Sequence, residues 1–201
     1  MWNNPLTIWH DLPNAASLAS ALSQAMQRHV LQALSLQPKV LVGLAGGSTP
    51  MAAYADFAQA TLPWQQLEFV LIDERFVPIT DSQSNEANIS QAFANIKTKM
   101  GAWHGLYQHA ETIEQSAALA NEQVKKLDAA MDIVIVGMGA DGHIASLFVE
   151  SADYVSAMEI TSTEAVLPIR FEQQEQKIDR LSFTLAELLK AKKMLICIRG
   201  A

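Results

Sequence analysis

At 201 residues, half of them hydrophobic, the chain is long enough to bury a full core and suits a single domain. A formal net charge of −7 argues against a general nucleic-acid or anionic-membrane surface, which needs a basic stripe, whereas a small anionic ligand needs only a local cluster of cations. One cysteine, Cys197, leaves no intrachain disulfide framework and no cysteine-based zinc site, and its apolar setting reads as a buried, inert thiol.

No apolar run approaches the ~18 residues of a membrane-crossing helix, and Asp11 precedes any basic residue with no compact apolar segment beside it. The expectation is a soluble, cytoplasmic protein. Leu6 to Trp9 is a candidate short edge strand, and Asp11 to Asn14 can start a helix with Leu18, Ala21, Leu22, Ala25, Met26 and Leu34 on its apolar face. Val40 to Ala45 is the next strand. Gly46-Gly47-Ser48-Thr49-Pro50 and a helix from Met51 to Ala60 follow it. Small residues let a phosphate approach the backbone, the two hydroxyls can donate, and the helix start adds free N–H groups and the positive end of its dipole. A plain strand-to-helix turn explains the same residues, and the lysine of a nucleotide P-loop is absent.

Leu67 to Ile72 is a further buried strand, with Asp73-Glu74-Arg75 at its carboxyl end. Such a triplet is usually a surface ion-pair cluster, but in an open α/β sheet that end is where ligands bind. Ser84-Asn85-Glu86-Ala87 opens a helix to about Asn95, Ser84 or Asn85 being a good cap that can also face the site. Trp103 to His109 looks irregular, and the spacing of His104 and His109 does not give a helical metal pair, so both read as ordinary polar residues. Thr112 to Asp128 is a polar-faced helix with Ala117, Ala118 and Val124 turned inward.

The central stretch is Met131 to Phe148. Ile133 to Val136 is an unbroken β-branched run, suited to a parallel strand covered on both faces. Gly137, Gly139 and Gly142 then allow a tight loop that presents Asp141 and His143 at the strand's carboxyl end. The same glycines match a dinucleotide fingerprint, but Asp141 would set a carboxylate beside the pyrophosphate, an arrangement better suited to proton transfer. Beyond Phe148, Glu150 to Ser162 reads as loop with a strand near Met158 to Thr161. Arg180 to Thr184 is a short strand, Leu185 to Ala191 a short helix and Met194 to Ile198 a final buried strand. The expected fold is a three-layer α/β domain over residues 1–201, with a doubly wound, mostly parallel sheet and helices on both faces. A terminal parallel strand with no helix after it further suggests a chain lacking its C-terminal end.

Gly46-Gly47-Ser48-Thr49-Pro50, then Asp73-Glu74-Arg75-Phe76-Val77-Pro78 with Ser84-Asn85, then Gly137-Met138-Gly139-Ala140-Asp141-Gly142-His143-Ile144-Ala145-Ser146-Leu147-Phe148 resemble, in this order, the motifs of the 6-phosphogluconolactonase family. The sister glucosamine-6-phosphate deaminases have a similar first turn and elbow, but there the acidic pair is typically followed by tyrosine and the elbow continues into Phe-Asn-Glu. Arg75 and Ser146-Leu147-Phe148 favour the lactonase. The resemblance implies that Gly46, Gly47, Ser48, Thr49 and Arg75 hold a sugar phosphate, that His143 activates water, and that Arg180 adds a cation. It also implies a lysine in a Gly-x-x-Lys after the last strand, of which Gly200 matches the glycine and the sequence ends before the lysine. The family's proline after Ser-Leu-Phe is Val149 here.

A δ-lactone is an activated ester, so its hydrolysis needs water delivery, oxyanion stabilisation and a grip on the remote phosphate, with no cofactor and no metal expected. Histidine, with an ordinary pKa near 6.5, can take the water proton at neutral pH. Asp141 can fix its tautomer or merely cap the elbow. Asp73 can orient the sugar hydroxyls or Arg75, or close an ion pair. The oxyanion can fall to backbone N–H groups of the glycine loop or to Arg75. The alternatives are an amino-sugar-phosphate deaminase or isomerase, in which Asp73 moves protons between carbons, and a catalytically silent phosphosugar-binding module. The expected partner is a small phosphosugar lactone, with no nucleic acid or membrane; monomer and dimer stay open.

Overall fold

The computed structural model describes residues 7–173 and 176–199. In chain order its elements are α1 (Ala15–Leu34), β1 (Val40–Leu44), α2 (Ser48–Phe57), β2 (Leu67–Leu71), β3 (Asp73–Arg75), α3 (Asn85–Ala92), β4 (Ala102–His104) and α4 (Ile113–Lys125). They continue with β5 (Ile133–Gly137), α5 (Tyr154–Ala157), β6 (Val166–Gln173), β7 (Gln176–Phe183), α6 (Leu185–Leu188) and β8 (Met194–Cys197).

The aliphatic runs assemble into a five-stranded sheet in the order β4-β2-β1-β5-β8, every pairing parallel. All five residues of β1 are buried, as are Ile133 to Val136 of β5, so both faces of the sheet centre are covered. Each fully buried Val, Leu or Ile stabilises the fold by about 1.5–3 kcal/mol. The N-cap of α1 is Asn14, whose side chain accepts from the Ser17 N–H at 2.8 Å, and α1 turns Ala19, Leu22, Met26 and Val30 inward against α2 and the sheet. Tyr54, Phe57, Phe69, Phe93 and Trp103 form an aromatic cluster joining α2, β2 and the end of α3 to β4.

The strand order reverses between β1 and β5. From β1 the chain moves outward through β2 to β4, returns to place β5 on the other side of β1, and adds β8 beyond it. The crevice at the carboxyl ends of β1 and β5 is therefore the topological switch point, where ligands of open α/β sheets bind.

A second sheet, antiparallel and in the order β3-β7-β6, lies outside the expectation. It grows directly from β2. Ile72 still pairs with the parallel sheet, its N–H donating to the Leu44 carbonyl at 3.1 Å, while its carbonyl accepts from the Phe183 N–H at 2.8 Å. Asp73 to Arg75 thus leave one sheet and become the edge of the other. On the far side, β6 and β7 pack against α4.

Several local expectations are corrected. Thr7 to Trp9 form no strand, and Leu6 lies outside the described residues, as do Gly200 and Ala201. The helix after the first glycine turn begins at Ser48 rather than Met51, and α3 ends at Ala92 rather than near Asn95. Trp103 and His104 belong to edge strand β4. Ala118 is exposed, because the buried stripe of α4 runs through Ile113, Ala117, Ala120 and Val124. Met158 to Thr161 form turns after α5 instead of a strand. Being a sheet edge, β8 is only half-buried, with Ile196 at 50% exposure and Cys197 buried.

Candidate active site

The elbow after β5 folds back on itself. Met138 and Ile144 form an isolated antiparallel bridge, Gly139 N–H donates to the His143 carbonyl at 2.9 Å, and Gly142 N–H donates to the Gly139 carbonyl at 3.0 Å. Gly142 has φ 88°, a left-handed conformation natural to glycine. Gly139 is required for a different reason: a Cβ there would run into the His143 ring and the Asp141 carboxylate. No helix follows the elbow, so the dinucleotide reading lacks the helix N-terminus on which pyrophosphate would sit.

Within this loop His143 Nδ1 lies 2.6 Å from Asp141 Oδ1. Asp141 is held below the usual carboxylate range: partial desolvation opposes the shift, but the hydrogen bond and charge of His143 and two backbone bonds outweigh it. An ionised carboxylate only accepts, so this contact orients an Nδ1 proton toward Asp141 and leaves Nε2 as the ring nitrogen that Asp141 does not engage. The ring also packs against Phe148 at a tilt of 47°, centroid to centroid 4.3 Å, and the Arg180 guanidinium carbon lies 5.1 Å from the centre of that same Phe148 ring.

Beside the elbow, the turn after β1 provides the second part of the site. Gly47, at φ 88°, is the N-cap of α2, and no side chain caps that helix end. No atom lies within 4 Å of where a Gly47 side chain would project, so the backbone is open above the α2 N-terminus, with Ser48 exposed and Thr49 half-buried next to it. Gly46 is closed on its other side by the Asn85 carboxamide, whose Nδ2 donates to the Asp73 carbonyl at 3.0 Å. Asn85 therefore ties this turn to the charged triplet.

The triplet divides by the alternation of β3. Glu74, fully buried, accepts from the N–H groups of Arg75, Asn85 and Glu86, each at 2.7 Å, and from the Ser84 hydroxyl at 3.0 Å. Burial pushes its carboxyl up and these four donors pull it back. Glu74 is thus the anchor of the α3 N-terminus, a role that sequence reasoning missed because the residue looked like one of three equivalent charges. Asp73 and Arg75 share the other face. Arg75 sits directly opposite Arg180 on β7, and Asp73 opposite Ser182. Like charges in register are destabilising without a counter-charge. Both Arg75 Nε and Arg180 Nε are buried without a hydrogen-bond partner among the described residues. Burial first, and the Arg75 charge second, lower the Arg180 pKa, while Asp73 and Glu74 support its charge. Arg75 is also tied to the chain, its Nη1 donating to the Gln83 carbonyl at 2.5 Å, so the rung is a half-buried pair of cations with two Nε atoms unpartnered among the described residues, a place where an anion would be favoured.

Asp73, itself only 5% exposed, accepts from the Ser146 hydroxyl at 2.9 Å, so elbow and triplet touch. His143, Asp141, Asp73, Arg75 and Arg180 are brought to one edge, with Gly46 to Thr49 joined through Asn85. Ser146 and Phe148, which the sequence offered only as part of the elbow motif, complete the contacts with Ser182, a small hydroxyl residue that carries no sequence signal to distinguish it from any other buried serine. Among the described residues no group of three or more His, Cys, Asp and Glu could hold a metal ion, and no helix is long and apolar enough to cross a membrane. A cavity of about 380 Å³ opens at the opposite end of the strands, but its charges are closed into Lys39–Glu68 and Lys192–Asp132 pairs.

Residues 13–201 match the family described as glucosamine-6-phosphate isomerases/6-phosphogluconolactonase. A 6-phosphogluconolactonase of Rhizobium meliloti (strain 1021) is 31% identical over 192 residues, 96% of this chain and 82% of its own. The crystal structure of a 6-phosphogluconolactonase from Thermotoga maritima is similar with a TM-score of 0.78 at 25% identity, covering 92% of this chain and 81% of that one. One from Shewanella baltica OS155 shares the fold with a TM-score of 0.88 at 22% identity, over 97% of this chain and 82% of the other.

Proposed function

The chain belongs to the glucosamine-6-phosphate isomerase/6-phosphogluconolactonase family, and from that premise we propose that it is a hydrolase opening 6-phospho-D-glucono-1,5-lactone to 6-phospho-D-gluconate in the oxidative pentose phosphate pathway. The observation that supports this reading is the meeting on one sheet edge of Arg75 opposite Arg180, with Nε atoms unpartnered among the described residues, and of His143 held through Nδ1 by Asp141.

In this reading the phosphate is held by the arginine rung and by the open backbone and hydroxyls of Gly46 to Thr49. A water molecule loses its proton to His143 Nε2 as its oxygen attacks the lactone carbonyl carbon. The carbonyl electrons move to the oxyanion, then return as the bond from that carbon to the ring oxygen breaks. The leaving ring oxygen takes a proton, His143 being the group placed to return it, and the new carboxylic acid ionises. Asp141 keeps the base in its tautomer and stabilises the imidazolium; such general-base assistance contributes about 10²–10⁴-fold. Asp73, expected among the catalytic carboxylates, enters this scheme through the charge it lends Arg180.

The test is proton release by the purified protein on addition of the lactone, with spontaneous opening subtracted, beside an ammonia assay with glucosamine 6-phosphate. Accelerated proton release without ammonia is the expected result. Ammonia without lactone hydrolysis would make it a deaminase, and phosphogluconate binding with neither activity would make it a silent module.

A further inference from the structure

The elbow that carries His143 is fastened to the second sheet at one place. Ser146, three residues after His143, is fully buried; its hydroxyl donates to Asp73 Oδ2 at 2.9 Å and its N–H donates to Ser182 Oγ at 3.2 Å. Asp73 and Ser182 are direct cross-strand partners, so one serine grips both sides of a single rung. Ser182 is itself fully buried, its hydroxyl donating to the Phe183 carbonyl at 3.0 Å, which leaves an oxygen lone pair turned to Ser146. Two residues along each strand, on the same face, lies the Arg75–Arg180 rung, about 7 Å away at strand spacing.

The residue before the grip, Ala145, has φ 49°, a conformation unfavourable to a side chain and kept only where the surroundings hold it. Ser146 caps no helix, and its partners lie in elements distant along the chain. Ser146 and Ser182 are fully buried and Asp73 nearly so, so a lost bond here is poorly replaced by water. The contact thus specifies how far the elbow stands from the arginine rung.

Resting on the lactonase reading above, we propose that Ser146 is a positioning residue, held by Asp73 and Ser182, that sets His143 at the working distance from the phosphate arginines. Asp73 serves the reaction by receiving the Ser146 hydroxyl, and takes no proton from substrate or water.

The experiment compares full-length Ser146→Ala, Asp73→Ala, Asp73→Asn and the Ser146→Ala/Asp73→Ala double variant in lactone hydrolysis. Ser146→Ala leaves the arginines and the glycine turn intact, so kcat should fall about 10–100-fold with KM held within about threefold. The double variant should lose no more than the worse single one, since both break one contact. Asp73→Asn keeps an oxygen for the hydroxyl and should recover about tenfold of the kcat that Asp73→Ala loses, the missing charge beside Arg180 showing in KM in both variants. In NMR spectra of the unliganded protein the His143 imidazole resonances should shift and broaden in Ser146→Ala while those of His104 and His109 stay in place. Asp73→Asn as inactive as Asp73→Ala, or His143 resonances unmoved by Ser146→Ala, overturns the proposal. If the unsubstituted protein fails to accelerate lactone opening, the lactonase reading falls instead, and the imidazole spectra still decide whether Ser146 positions His143. Should Ser146→Ala not fold, Ser182→Ala removes the acceptor for the Ser146 N–H together with the hydroxyl's own bond to the Phe183 carbonyl, leaves the Ser146–Asp73 bond in place, and supports the same comparison.

Discussion

Arginines placed opposite one another across two strands, each with a buried Nε lacking a partner among the described residues, are an expensive arrangement for a resting protein and a useful one for binding a dianion. Arg75→Ala should therefore raise KM about 10–100-fold, the size of one or two charge-assisted hydrogen bonds, with kcat nearly kept. Steady-state kinetics checks this; a lost kcat at unchanged KM would move Arg75 to the reacting carbonyl. Gly139 sits at the other extreme, a residue whose function is to lack a side chain: Gly139→Ala should push His143 off Asp141 and lower kcat, while the spacious φ 88° turn at Gly47 should tolerate small changes in KM terms only if its backbone angle survives. Cys197 is a separate residue-scale case. Burial pushes its thiol up to about 11 from an ordinary value of 9.0, so its contribution to stability is fully present below the ordinary value and is lost as pH rises through about 11. At pH 8 a thiol reagent should label it only as fast as the fold opens. Labelling at the rate of a free peptide cysteine would contradict that.

At the scale of elements, the join of β3 to α3 depends on Glu74, because its carboxylate occupies three backbone donors and the Ser84 hydroxyl at once. Glu74→Ala strands these groups in the interior and should destabilise the protein by about 3 kcal/mol in denaturant unfolding, several times the effect of Arg75→Ala. The central strands were readable because β-branched runs bounded by glycine or charge have one good solution. Strand β6 was not. Leu167 and Ile169 alternate with Pro168 and Arg170, but a proline argues against a strand unless it lies at a sheet edge, and the edge position of β6 is a tertiary fact. Strand β4 is too short to show any period. The site's residue types were legible in the glycine turn, the charged triplet and the Asp141–His143 elbow. The opposition of Arg75 to Arg180 and the grip of Ser146 on Asp73 were not, since both depend on the register of a second sheet that local pattern did not reveal.

Across the whole molecule, three motifs far apart in the chain meet because β1, β2 and β5 are adjacent parallel strands that all end at one edge, and the reversal of strand order opens a crevice there. The second sheet closes on that edge and supplies Arg75 and Arg180, so in the proposed scheme the cations come from one sheet, and the glycine turn and the His143 elbow come from the other. The most direct measurement of this division is kcat and its pH dependence for His143→Asn, with spontaneous lactone opening subtracted. The substitution keeps a polar side chain but removes the proposed base, so phosphogluconate affinity should be retained, kcat should fall about 10²–10⁴-fold, and the decline of kcat on the acid side should disappear. A His143→Asn protein with near-parent kcat and the same acid limb would contradict the account, leaving His143 a structural residue and moving the search for the base to Asp73.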